Sequence, residues 1–211
     1  MMLNWINLIL LILSTGLMAF FYIKSVYPAT LAQKIGLKAY ARCAYYRIIA
    51  SIFELIVIIN YLFYFFLPLP IFIPQFFIWD YWISIFIAFV ILIPSLYLLL
   101  KGVKDAGRES LFPDKGHALY SGIYEKIRHP QAFGESFIWW SVALILNSPF
   151  LFLYSIVWFP LFYWFCKAEE KDLLIRYGEQ YFDYKERTGM FFPKRKQKCE
   201  STNLSNNSLV F

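Results

Sequence analysis

An all-α, polytopic membrane bundle of about five transmembrane helices is the fold class this sequence predicts, on three observations. Of its 211 residues, 60% are hydrophobic, against ~45–50% in an ordinary soluble domain. The apolar residues gather into runs near the ~20 residues a helix needs to cross a bilayer. The basic residues are sorted: five lie in 24–47, six in 101–128 and nine in 167–198, together all 20. Loops on the inner side of a membrane carry such an excess, so the N-terminus is expected outside and the C-terminus inside. The net charge of +6 then reads as membrane orientation, and no nucleic-acid partner is implied.

Trp5 to Ile23 carries no charge and makes the first span. Its first basic residue, Lys24, follows the apolar run instead of preceding it as in a cleavable signal peptide, so this helix is expected to stay. Lys24, Lys34, Lys38, Arg42 and Arg47 form an inner loop with no acid among them. Ile48 to Leu67 is the second span, closed by Pro68, Pro70 and Pro74. Phe76 to Leu100 is the third, bent at Pro94, where the ring removes a helical hydrogen bond. After a polar stretch, Ala132 to Leu146 and Phe150 to Cys166 flank Asn147-Ser148-Pro149 as a helical hairpin. The first arm is only about 15 residues, ~22 Å long, so it either begins in the headgroup zone or is partly re-entrant. Residues 1–198 read as a single membrane domain, and the Ser- and Asn-rich 199–211 as a disordered tail.

Chemistry concentrates in the second half. Cys43, Cys166 and Cys199 have neither C-x-x-C nor C-x-x-H spacing, so neither a metal site nor a disulfide framework is expected. Glu54 is the acid within the second span, two turns in from Arg47. An intramembrane carboxylate is either a functional group or a partnered contact between helices, because burying it alone is costly. Pro130 suits the first turn of a helix and drives His129 towards extended backbone, so Arg128 and His129 stand just outside the N-terminus of the fourth span. Free backbone N–H groups and the helix dipole make that place a ready anion site. Beyond the fifth span, Leu173, Leu174, Tyr177, Tyr181 and Tyr184 recur at helical spacing, an amphipathic segment interrupted near Gly178. Glu169 and Glu170 point ~100° apart on a helix and cannot share one target, so one faces a pocket. The short hairpin brings Arg128-His129-Pro130 to this glutamate pair.

Over His117-Ala118-Leu119-Tyr120, Gly122-Ile123-Tyr124, Arg128-His129-Pro130 and Gly134, then Glu169-Glu170, Tyr177-Gly178, Tyr181, Tyr184 and Pro193, the chain resembles the membrane methyltransferases related to isoprenylcysteine carboxyl methyltransferase and the phospholipid N-methyltransferases. The resemblance implies an enzyme that uses S-adenosyl-L-methionine and methylates a lipid-like or prenylated carboxylate, amine or thiol drawn from the bilayer. It places the cofactor on the cytosolic face of a prokaryotic cell membrane or the endoplasmic reticulum, between the last helical hairpin and the C-terminal helical segment. By position it implies that His117, Leu119 and Tyr120 line the cofactor, that Tyr124 packs near it, that His129 and Pro130 hold its far side, and that Glu169 meets it from the other wall.

A sulfonium cofactor carries positive charge at sulfur, an ammonium and a carboxylate, so acids, aromatic rings and a helix N-terminus suit it. Methyl transfer is one displacement that needs alignment above all, worth ~7–11 kcal/mol. Carboxylate and thiolate acceptors need no base, whereas an amine must lose a proton, for which Glu170 or a Tyr would serve. Arg128 and Glu170 are the catalytic candidates. Two positions depart from the family pattern. Ala132 replaces its Tyr, and Phe165 stands where the carboxyl methyltransferases carry an Arg that binds the substrate carboxylate. Lys167 lies two residues on, ~200° round the helix, and is a poor replacement. Glu54, Phe165 and Lys167 are the substrate-side candidates. Pro130 to Glu135 with Trp139-Trp140 is also similar to the NADPH-dependent membrane steroid and sterol reductases, which supplies one alternative reading. A noncatalytic membrane protein is another.

Overall fold

A computed structural model describes residues 1–113 and 121–194, and every structural statement concerns these residues. In chain order the helices are α1 (Met2–Ser25), α2 (Pro28–Ile35), α3 (Lys38–Phe66), α4 (Tyr81–Ala106), α5 (Pro130–Ile145), α6 (Pro149–Tyr154), α7 (Trp158–Tyr177) and α8 (Glu179–Arg187). Four stretches are long and apolar enough to cross a membrane: Met2–Ser25, Lys38–Phe66, Tyr81–Ser110 and Pro149–Tyr177. The last joins α6, a 3₁₀ turn and α7. The fourth predicted span is α5, with 16 residues, ~24 Å long against a hydrocarbon core of ~30 Å.

The helices outrun the apolar runs. α3 begins at Lys38, well before Ile48, and α7 continues past Cys166 to Tyr177. Hydropathy marks the hydrocarbon boundary, whereas backbone hydrogen bonding carries a helix on into the headgroup zone. The expected inner loop 24–47 is therefore largely helical. Pro28 starts α2, and the Asp172 carboxylate of α7 caps it, accepting from the Ala29 and Thr30 amides at 2.9 and 2.8 Å and from the Thr30 hydroxyl at 2.7 Å.

α1 lies along α3, α4 lies along α5, and α7 meets α1, α2 and α5. Leu11, Val57, Tyr61, Trp139, Leu151, Trp158 and Phe165 meet in the buried centre. The Trp158 indole there donates to the Tyr61 hydroxyl at 3.1 Å, and Tyr61 meets the Ser155 hydroxyl at 3.1 Å. Gly134 lets α5 approach the α4 backbone at Ser95 and Leu99, just past Pro94, where any Cβ would clash. That close approach supports the short fifth helix. The turn between α5 and α6 uses Asn147 at φ 52°, and the Ser148 hydroxyl caps α6 by accepting from the Leu151 amide at 3.3 Å. Gly178, at φ 57°, separates α7 from α8, the interruption the sequence marks. The expected tail 199–211 lies outside the described residues.

Candidate functional site

Pro130 is the first residue of α5 and His129 its N-cap, with φ −129°. The chain after α8 returns alongside this corner. The Arg128 amide donates to the Gly189 carbonyl at 2.9 Å, and the His129 amide to the Met190 carbonyl at 3.1 Å. The protein's own C-terminal segment thus takes the amides of Arg128 and His129, the two residues that precede Pro130. The Arg128 guanidinium is committed as well. Its Nε and Nη2 each lie 2.8 Å from Glu170 Oε1, and Nη1 donates to the Lys185 carbonyl at 3.1 Å and to the Thr188 carbonyl. Glu170, 1% exposed, also meets Lys185 Nζ at 3.2 Å and His129 Nε2 at 3.4 Å. A carboxylate buried so deeply is tolerable because cations surround it.

Glu169 and Glu170 do reach one residue, by taking opposite nitrogens of its ring: His129 Nδ1 is 3.6 Å from Glu169 Oε2. Their angular separation still divides their work. Glu170 turns into the protein, while the Glu169 side chain keeps 32% exposure and lines a cavity. Burial by itself would lower the His129 pKa. The Cys166 side chain, to which the ring hydrogen-bonds, together with Glu170 and Glu169, outweighs it and raises the value to about 10, so the imidazolium is present at neutral pH.

Beside this corner lies an open cavity of about 70 Å³. Tyr22 reaches it from α1, Arg47 from α3, Tyr124 from a 3₁₀ turn, His129, Gln131 and Ala132 from the start of α5, Glu169 and Leu173 from α7, and Tyr181 and Tyr184 from α8. Arg47 Nη1 donates to the carbonyls of Glu109 and Ser110 at 3.2 and 2.9 Å, which aims the side chain inward. Gln131 donates to the Tyr124 hydroxyl at 2.7 Å, and the Tyr184 hydroxyl to the Tyr124 carbonyl at 2.7 Å. Burial pushes the Tyr124, Tyr181 and Tyr184 phenols up, so they remain protonated donors. The Tyr181 hydroxyl is buried with no hydrogen-bond partner among the described residues, an arrangement a ligand atom would relieve.

The structure therefore brings Tyr124, His129 and Glu169 to one cavity. Pro130 is buried beside them, and Arg128 and Glu170 form the clamp behind. Phe165 is buried in the core with its ring centroid 4.5 Å from that of Tyr22. Lys167 is exposed, with Nζ 5.5 Å from the Tyr163 ring, and is not among the cavity-lining residues. Glu54 shares a hydrogen bond with Glu135 of α5, and the buried Cys166 thiol is also near Glu135. His117, Leu119 and Tyr120 lie outside the described residues. Sequence reasoning missed Tyr22, Arg47 and Tyr181 as cavity residues and Glu135 as the partner of Glu54. Glu135 was within reach, being an acid inside an apolar run just as Glu54 is. Tyr22 and Arg47 were not, because only the packing of α1 and α3 against the second half places them.

Residues 79–180 match the family model described as phospholipid methyltransferase. Over 76 residues the chain is 32% identical to the Protein-S-isoprenylcysteine O-methyltransferase of Saccharomyces cerevisiae, covering 35% of this chain and 31% of that protein. The chain thus spans about a third of the length of the curated relative it matches. No solved structure matches. The matched stretch contains α4 to α7 with Arg128, His129, Glu169 and Glu170, and leaves out α1 to α3. It bears out the resemblance to this group of membrane methyltransferases, and the four long apolar helices mark an integral membrane protein.

Proposed function

We propose that this chain is an S-adenosyl-L-methionine-dependent methyltransferase whose site opens on the cytosolic face and whose lipid-like or prenylated acceptor arrives from the bilayer. The observation that carries the reading is the union of the Arg128-His129-Pro130 corner with Glu169-Glu170 around a cavity walled by aromatic rings. The donor set suits the cofactor. Glu169 favours the sulfonium and ammonium charges, Arg47 favours the carboxylate, and Tyr181 offers a buried, unanswered hydroxyl. When bound, the cofactor supplies a methyl group activated by its positive sulfur. His117, Leu119 and Tyr120 complete the wall on the strength of the resemblance, and Tyr124 and Pro130 shape it.

Arg128 and Glu170 act by position. Their ion pair holds the start of α5 against the end of α7, so His129 and Glu169 keep their places. Alignment of this kind is what a single displacement requires. Phe165 itself offers no charge to grip a carboxylate, and Lys167 is exposed and outside the cavity lining. Among carboxylate, amine and thiol acceptors, Glu54 and Glu135 favour the amine. These two carboxyl groups lie in hydrogen-bonding contact between α3 and α5. Such a pair of acids would draw an ammonium and take the proton it gives up, leaving the amine as the nucleophile. Calorimetry on purified protein tests the reading: S-adenosylhomocysteine should bind and NADPH should not. Binding of NADPH would favour the reductase reading, and binding of neither the noncatalytic one.

A further inference from the structure

A second concavity lies on the outer flank of the site, between α4, the turn before α5 and the returning C-terminal segment. Its walls include Leu98, Ile123, Ile127 and Phe191, and the cations bordering it are Lys101 and Lys126. It is continuous with the lipid-facing side of α4, where Ile93, Tyr97 and Leu100 are each more than half exposed and Tyr97 itself lines the groove. Lys101 is the first charge on α4 after its apolar run, so the groove sits where hydrocarbon gives way to headgroups.

The two lysines differ. Lys101 Nζ is held by Asp105 at 2.7 Å, and the other Asp105 oxygen accepts from the Ile123 amide at 2.8 Å. Lys126 is exposed and has no ion pair among the described residues. An apolar groove inside a bilayer does not choose between lipids by tail burial, because the tails it competes with are equally apolar. One uncompensated cation at headgroup depth does choose. We infer that this groove binds an anionic phospholipid of the adjoining leaflet, with an acyl chain along Leu98, Ile123 and Phe191 and the headgroup phosphate at Lys126. The occupant would also brace the clamp. Phe191 stacks on Phe133 with centroids 5.4 Å apart and lies 6.5 Å from the His129 ring, in the segment whose backbone receives the Arg128 and His129 amides.

The inference is independent of the methyl acceptor, and its test needs no turnover. Purified protein in neutral detergent is offered phosphatidylglycerol or phosphatidylcholine with matched acyl chains, and lipid retention is read by native mass spectrometry alongside thermal unfolding. Phosphatidylglycerol should be retained about five-fold more strongly, the worth of one basic residue near an anionic surface, and should raise the melting temperature. Lys126→Met and Lys126→Glu should each abolish the preference, whereas Lys104→Glu, on exposed α4 surface outside the groove, should keep it. Equal retention of the two lipids, a preference that survives both Lys126 variants, one lost equally in Lys104→Glu, or competition by inorganic phosphate would each overturn the assignment.

Discussion

Glu170 and Glu135 are both carboxyl groups packed inside the helical bundle, and they are satisfied in opposite ways. Glu170 is met by Arg128 and His129 from the corner before α5 and by Lys185 from α8. Glu135 is met by another acid, Glu54, with Cys166 beside it. A carboxylate ringed by cations is held ionised and immobile, and its removal is a structural event. On the proposed function, a carboxyl paired with a carboxyl takes the proton an amine gives up, and its removal is a chemical event. Glu170 thus belongs to the frame beside the cavity, and the Glu54–Glu135 pair between α3 and α5 to the proposed chemistry.

Breaking the frame gives the largest effect. Arg128→Ala strands Glu170 with the Lys185 and Thr188 carbonyls, and should cost ~3–5 kcal/mol of unfolding free energy in detergent. A loss under ~1 kcal/mol would erase the distinction between the two acids. Next, Glu135→Gln keeps the shape of the pair and removes its exchangeable charge. Turnover of an amine lipid should fall about 100-fold, while stability moves within ~1 kcal/mol. An equal fall for a thiol acceptor, or a large loss of stability, would make the pair part of the frame.

Glu169→Gln sharpens the comparison within one turn of helix. Glu169 lines the cavity and is only partly buried, so binding of S-adenosylhomocysteine should weaken about ten-fold, ~1.4 kcal/mol, with little change in melting temperature. Glu170→Gln should show the reverse, and identical behaviour of the two variants would count against their division. The smallest effect is a pH profile. The His129 pKa stands at about 10 against an ordinary 6.5, so the imidazolium contributes fully below about pH 6.5 and its contribution is lost as the pH rises through 10. Unfolding measured across that window should decline more steeply in the wild type than in His129→Gln. Parallel curves would mean that His129 is not charged in the frame.

Much of this was legible in the residues. Pro130 and the pre-proline His129 mark the start of α5, Gly178 marks the break before α8, and the Asn147-Ser148-Pro149 turn is short enough to bring Arg128 to Glu170. Each is a local constraint, from a fixed φ, a positive φ or a brief connection, and such constraints act before any tertiary contact forms. What the sequence by itself determined is therefore an all-α membrane bundle, its breaks, and the meeting of the Arg-His-Pro corner with the glutamate pair. Only the tertiary structure decided that Glu170 turns inward while Glu169 faces the cavity, that the Gly189 and Met190 carbonyls accept from the Arg128 and His129 amides, that Arg47 and Tyr22 enter from the first half, and that Glu54 finds Glu135. Periodicity defines the faces of a helix, but it does not say which face looks into the bundle when the surroundings are as apolar as the core. Lipid leaves that choice to side-chain shape and to the pairing of a few buried polar groups across elements far apart in the chain.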